Sequence, residues 1–314
     1  MYKKQRASLS LPSNNFFMEL FSRYSFSPGI IILLTFLLAV VGFVVFLVLG
    51  ILVSAIITNN WELSTIINGD LYSSNGLMVM RIMQMFQTTG VFLFPSIAVA
   101  VLVSKQPFKE LGFSKINQGL LLLSIVFMII ALPGINLIAS LNAEIPMPSW
   151  MVEMEKVSEA LTKAFLITDR FNVFALNLLM VGILPAFGEE LFFRGVLQKY
   201  FCKMARNTFM GVLITALIFS AIHMQFQGFI PRFILGMIFG YLYVWTRNIW
   251  IPILVHFANN GLATLAYYII GKGIIPAESE TLGGLTELWQ VGVASILISS
   301  LLLWLIWRGS ITSE

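Results

Sequence analysis

Charge is scarce in this chain: of 314 residues only 11% are Asp, Glu, Lys or Arg, against about 25% in an ordinary soluble domain. A large water-facing body is therefore excluded. Cysteine is almost missing. The lone Cys202 rules out an internal disulfide and any thiolate-rich metal cluster. Only two histidines are present, His223 and His256, so any imidazole chemistry has to use these two. There is no internal repeat, no low-complexity tract and no boundary of a soluble domain. The formal charge of +4 is scattered over short loops, so nucleic acid is not expected as a partner and the basic residues report topology instead.

What is plentiful is apolar sequence. Hydrophobic residues make up 58% of the chain, mean hydropathy is +0.88, and the apolar residues come in runs. Runs able to cross roughly 30 Å of hydrocarbon as helix fall at about 29–58, 79–104, 119–141, 172–198, 208–226, 229–246, 249–270 and 288–307. The expected fold is all-α, a polytopic membrane protein of about eight transmembrane helices enclosing a polar cavity. The first run is too long for a signal-peptide core and lacks a small-residue cleavage site, so it reads as a retained span. Residues 1–28 read as a cytosolic segment in which Phe16, Phe17, Leu20 and Phe21 form a short interfacial helix. Residues 29–171 hold spans one to three and a connector, 172–270 hold spans four to seven, and 271–314 hold the last span and a cytosolic tail.

Linkers after even-numbered spans carry Lys105, Lys109 and Lys115, then Lys199, Lys203 and Arg206, then Arg247 and finally Arg308, whereas those after odd-numbered spans are poorer in Lys and Arg or richer in acids. Both termini are accordingly expected in the cytosol, in the plasma membrane of a bacterium. Segment 150–170 differs from the spans. Val157, Leu161, Ala164 and Phe165 share a helical face opposite Glu153, Glu155, Lys156, Glu159 and Lys163, which predicts an amphipathic helix at the outer interface, either a plain connector or a substrate gate.

The chemistry-bearing residues lie inside the spans. Glu189, Glu190 and Arg194 occur within six positions, and each charge at membrane depth costs on the order of 2.5–3.5 kcal/mol unless it faces protein or water. Glu190 and Arg194 have the favourable acid-first i, i+4 spacing for an ion pair, which leaves Glu189 turned about 100° away. His223 and Glu189 are equidistant from the basic turn at Arg206 and can face one another across a hairpin. His256 shares a helical face with Asn260. Pro185 and Pro252 each precede a candidate site residue by four and are expected to loosen their helices. Gly236-x-x-x-Gly240 predicts a close helix approach within the monomer. The Met78, Met80, Met83, Met85 group reads as core or lipid-facing, and Tyr243, Trp245, Trp250 and Trp304 as an interfacial belt.

Glu189-Glu190-x-x-x-Arg194, Phe219-x-x-x-His223 and His256-x-x-x-Asn260, in that order on separate spans, resemble the three motifs of the type II CAAX prenyl endopeptidases and their prokaryotic relatives, the CAAX protease and bacteriocin-processing family. The motifs cover about 170–270. The resemblance implies an intramembrane endopeptidase with a water-filled chamber open to the cytosolic side. Its substrate would be a membrane-associated peptide or protein, lipidated or not, and the bilayer its surroundings. Glu189 would be the general base with His223 as partner, His256 and Asn260 the oxyanion donors, and Glu190 with Arg194 the frame. A divalent metal, zinc first, held by Glu189, His223 and His256 stays open, although the chain lacks the His-Glu-x-x-His helix. A proton- or ion-coupled transporter and a catalytically silent scaffold or immunity protein are the alternative readings.

Overall fold

The computed structural model describes residues 26–61, 73–276, 282–286 and 288–312, and among these all regular structure is helical. The expected surface helix around Phe16–Phe21 lies outside the described residues. The helices are α1 (Pro28–Thr58), α2 (Ser74–Val103), α3 (Gln118–Ala143), α4 (Ser149–Leu166), α5 (Phe171–Ala205), α6 (Thr208–Ala221), α7 (Phe229–Thr246), α8 (Trp250–Gly271) and α9 (Trp289–Thr312). Seven of them, α1–α3, α5 and α7–α9, are long and apolar enough to cross a membrane.

The fifth of the eight expected spans is shorter than the sequence suggests. α6 has 14 residues, and the turn that follows takes Ile222, Met224 and Phe226, which the apolar run had counted as helix. Met224 sits at φ 52°, a left-handed conformation that a helix cannot continue. Pro252 also differs from expectation. It stands in the first turn of α8, where its missing N–H has no intrahelical partner to lose, so it starts the helix without kinking it.

Local hydrogen bonds sort the loops onto two ends of the bundle. At one end Asn248 Nδ2 donates to the carbonyls of Ser114 and Lys115 (3.2 and 3.0 Å), and Lys199 pairs with Glu110, which also accepts from the Tyr200 hydroxyl at 3.0 Å. This is the basic end. At the other, Asn142 bridges the Phe226 carbonyl and the Ile230 N–H (3.0 and 2.9 Å), and Glu155 of α4 accepts from the Phe226 N–H at 2.9 Å. The amphipathic helix thus forms close to where the sequence puts it and is tied to the turn after α6. Its far end is held by Arg81, which donates to Asn177 Oδ1 and the Phe165 carbonyl, both at 2.9 Å.

Three helices carry a proline in mid-run that interrupts the ladder, α2 at Pro95 behind a π-helical stretch at Thr89–Leu93, α3 and α5. In α3, Ser295 of α9 inserts its hydroxyl beside Pro133, donating to the Ile130 carbonyl at 2.5 Å and accepting from Gly134 N–H at 3.0 Å. In α5 the backbone widens into π-helical turns at Leu178–Ile183 and Leu191–Gln198, on either side of the two glutamates. Such wide turns are common at functional sites because they re-aim side chains.

Candidate active site

Four consecutive helices, α5 to α8, supply the site. Glu190 and Arg194 are wholly buried and paired, Oε1 to Nη1 at 2.7 Å, as their spacing predicts. The same Glu190 oxygen receives His256 Nδ1 at 2.8 Å. A buried charge is tolerated only when its remaining valences are met, and Arg194 meets another of its own with Nη2 on the Gly236 carbonyl at 3.0 Å. One turn further along α5, Gln198 Nε2 donates to the Gly240 carbonyl, also at 3.0 Å. The Gly-x-x-x-Gly pair therefore has a second role beside close packing: with no side chain in the way, its carbonyls are open to Arg194 and Gln198. A Cβ on Gly236 would stand 3.1 Å from Ala216 Cα, and one on Gly240 would stand 2.7 Å from Gln198 Oε1.

The Phe219-x-x-x-His223 motif acts on both sides of this network. The Phe219 ring lies 4.8 Å from the Arg194 guanidinium carbon, a distance at which a desolvated cation and an aromatic face attract. Its carbonyl meets His223 Nδ1 at 2.8 Å. A carbonyl can only accept, so Nδ1 carries the proton and the neutral ring keeps Nε2 as its basic nitrogen. His256 is likewise fixed through Nδ1 and stacks on Phe239, centroids 5.1 Å apart.

Glu189 is 8% exposed and makes no hydrogen bond to any described residue. Arg194, His223 and Arg232 lie within its electrostatic reach. His223 sits in the turn outside the helices, where burial pulls its imidazole below the ordinary histidine range while the Glu189 charge opposes that. Asn260 joins the cluster through its backbone neighbours. Its Nδ2 donates to the Val181 carbonyl at 2.9 Å, and its Oδ1 accepts from Asn259 at 2.9 Å.

The structure thus brings Glu190, Arg194 and His256 into direct contact, places Glu189 and His223 in electrostatic reach of each other, and gives Asn260 a backbone partner on the same helix as the glutamates. Two members escaped sequence reasoning. Gln198 continues the Glu190, Arg194 stripe by another four residues, a spacing that could have found it. Arg232, at the start of α7, holds the turn by donating to the Gln225 carbonyl at 3.2 Å; a charge at the head of an apolar run was its signal. For a metal the set does not fit as it stands. Among the described residues no three His, Cys, Asp or Glu side chains come together closely enough to hold an ion.

Between the glutamates and the basic end, Phe193, Val196, Leu197, Tyr200 and Phe201 of α5 pack with Phe219, Ile249, Ile253 and Leu111 into one cluster, each less than a tenth exposed. At the opposite end His223 and Met224 line an open groove of about 520 Å³ whose other wall is α4, with Trp150, Met154, Val157 and Leu161.

Residues 171–262, which carry the whole site, match the family model described as "Type II CAAX prenyl endopeptidase Rce1-like". Among curated proteins the chain is similar to the uncharacterized protein YpbD of Bacillus subtilis (strain 168), 33% identical over 85 residues that cover 26% of this chain and 40% of that protein. It is also similar to the membrane-embedded CAAX protease MroQ of Staphylococcus aureus (strain USA300), 28% identical over 116 residues, 35% of this chain and 46% of that protein. An uncharacterized 24.3 kDa protein of Escherichia coli is 31% identical over 94 residues, 29% of this chain and 43% of that protein. The chain spans less than half the length of each of these relatives, and no solved structure matches it. The likeness to the Rce1-like type II CAAX prenyl endopeptidases is thus carried by the segment formed by α5 to α8, with its three ordered motifs.

Proposed function

We propose that the protein is an intramembrane endopeptidase that hydrolyses a peptide bond of a membrane-associated protein or peptide with water activated by Glu189. The observation that carries this reading is the contrast between the two adjacent acids. Glu190 is engaged through Oε1 by both Arg194 and His256, its Oε2 being buried without a partner, whereas the Glu189 carboxylate has no hydrogen-bond partner among the described residues and lies in reach of His223. A buried acid kept free of partners beside an imidazole is what general-base work needs.

In this scheme Glu189 takes a proton from water as its oxygen attacks the scissile carbonyl, and the proton passes to the departing amine. His223, with Nδ1 anchored, offers Nε2 to position that water or relay the proton. His256 is oriented by Glu190 and would donate from Nε2 to the oxyanion when both ring nitrogens carry protons. Asn260 has one Nδ2 proton engaged by Val181, and its second is available to the same oxyanion.

The deciding experiment is cleavage of a peptide substrate by purified protein in detergent. Glu189→Gln keeps size and burial while removing the base, so cleavage should fall by at least two orders of magnitude with the unfolding temperature unchanged. Cleavage at the parental rate by that variant would end the assignment.

A further inference from the structure

We propose that the cavity where the ends of α3, α7, α8 and α9 meet, on the basic side of the bundle, binds the phosphate group of an anionic membrane lipid. This part of the molecule has no role in the hydrolytic scheme, and the proposal holds or fails independently of it.

The cations come from two loops that are distant in sequence. Lys115 lies in the segment leading into α3, and Arg247 opens the turn between α7 and α8. Buried Asn248 joins the two. Its Nδ2 donates to the carbonyls of Ser114 and Lys115, its Oδ1 accepts from the Trp250 N–H at 3.0 Å, and the Ser114 hydroxyl donates to the Arg247 carbonyl at 3.4 Å. The Ile249 N–H adds a bond to the Gly112 carbonyl at 3.0 Å. Lys115 and Arg247 are thereby fixed on the wall of one cavity of about 250 Å³.

The polar groups around it suit an anion. Asn117 uses its side-chain oxygen to accept from the N–H groups of Gly119 and Leu120, at 3.1 and 3.2 Å, which leaves its amide nitrogen as the unengaged end. The hydroxyls of Thr246 and Ser310 donate within their own helices, to Leu242 and Trp307, both at 2.6 Å. An amide, an ammonium and a guanidinium supply donors to the cavity, and among the described residues no carboxylate lines it. Charge-assisted bonds from Lys and Arg to phosphate oxygens are the strong kind.

The rest of the lining ties that anion to a lipid. Leu120, Ile251 and Trp245, from the terminal turns of α3, α8 and α7, make the apolar part of the wall. Next to Ser310, α9 exposes Trp304, Trp307 and Ile311 (44, 42 and 56%), and the Arg308 guanidinium stands 5.3 Å from the Trp304 ring. Tryptophans beside basic residues mark the headgroup level of a bilayer, and basic pockets between spans at that level are headgroup sites. The volume, against the ~30 Å³ that a water takes up in the liquid, admits a phosphate with its ester arms. The acyl chains then lie outside, along the exposed apolar face of α9.

The test follows the unfolding temperature of the full chain, purified in an uncharged detergent, as phosphatidylglycerol, phosphatidylcholine or inorganic phosphate is added. Phosphatidylglycerol should raise it saturably by about 3 °C or more, and the other two at the same concentrations by less than about 1 °C. Lys115→Gln with Arg247→Asn, an exchange that suits the left-handed backbone at φ 50°, should raise the half-saturating lipid concentration by about tenfold or more. Lys115→Arg with Arg247→Lys keeps both charges and should bring it back to within about threefold of the parent. Lys105→Gln with Lys203→Gln removes the same charge from the same end but away from the cavity, and should leave it within about twofold. If the first pair does not yield folded protein, Lys115→Gln alone, at an exposed position, carries the comparison with an expected loss of about threefold or more. Parental half-saturation in these cavity variants overturns the proposal, as does an equal loss in the Lys105, Lys203 pair or the absence of any shift with phosphatidylglycerol. An equal shift with phosphatidylcholine removes the requirement for an anion, and an equal shift with inorganic phosphate assigns the cavity to a soluble ion; either result overturns it too.

Discussion

Asn260 Nδ2 donates to the carbonyl of Val181 at 2.9 Å, and Val181 is the residue four before Pro185. In an unbroken α-helix that carbonyl would accept from the N–H of residue 185, which proline lacks. Asn260 therefore stands in for a missing backbone donor. One side chain both repairs the opened turn of α5 and fixes α8 against it, one turn below His256.

This gives Asn260 a structural share that can be separated from any catalytic one. Asn260→Ala should lower stability by about 1–3 kcal/mol, the usual range for leaving a buried acceptor unmet. In a Pro185→Ala background, where residue 185 can donate again, the same substitution should cost clearly less. Thermal unfolding of the four proteins in detergent measures the coupling, and equal costs in both backgrounds would refute it.

A larger loss is expected at Glu190. Among the described residues it is the one acid paired with Arg194, and Arg194 is 0% exposed. Glu190→Ala leaves that cation buried without its counter-ion, a change of about 3–5 kcal/mol, and also releases His256. Adding Arg194→Met to Glu190→Ala should recover folded protein, judged by size-exclusion profile, without recovering cleavage. If Glu190→Ala alone remains monodisperse at the parental unfolding temperature, the buried pair does not hold the site together.

At Gly240 the prediction is steric. The Cβ of Gly240→Ala would lie 2.7 Å from both Gln198 Oε1 and Val212 Cγ1, so α7 has to move off α5 and α6 at a cost of about 1–3 kcal/mol. Gln198→Ala should relieve part of it, since one of the two obstructing atoms is then gone. Unfolding temperatures of the single and double variants check this.

Chelation tests whether activation of water by Glu189 needs a bound ion. Incubation of purified protein with a strong zinc chelator, followed by its removal, should leave peptide cleavage within twofold. Loss of activity that zinc alone restores would show that Glu189, His223 and His256 regroup around an ion in the working enzyme.

Much of this architecture is legible in the sequence because membrane physics writes it in large letters. Long apolar runs are helices, and ionisable residues inside them have to find one another, so the Glu190–Arg194 pair follows from spacing alone. The end of α6 was not legible, because hydropathy counts Ile222, Met224 and Phe226 equally whether they are in a helix or in a turn, and the left-handed Met224 carries no signature of its own. The partner of His256 was also hidden. Helical spacing says which face a residue occupies but not which of two neighbouring acids a wide turn, such as the π-helical stretch at Leu191–Gln198, will deliver to it. Pro185 was visible, whereas the amide that compensates it, seventy-five positions on, belongs to tertiary structure.

The apolar cluster of Leu197, Phe201, Ile249 and Ile253 has one more consequence. A hydrated carboxylate and two imidazoles in the middle of an energised bilayer would be a ready route for protons if water could thread past them. Side chains that shed water interrupt that route as a dewetted constriction does in a closed pore. The protein can then keep reactive acid–base groups within the membrane while the cell keeps its electrochemical gradient.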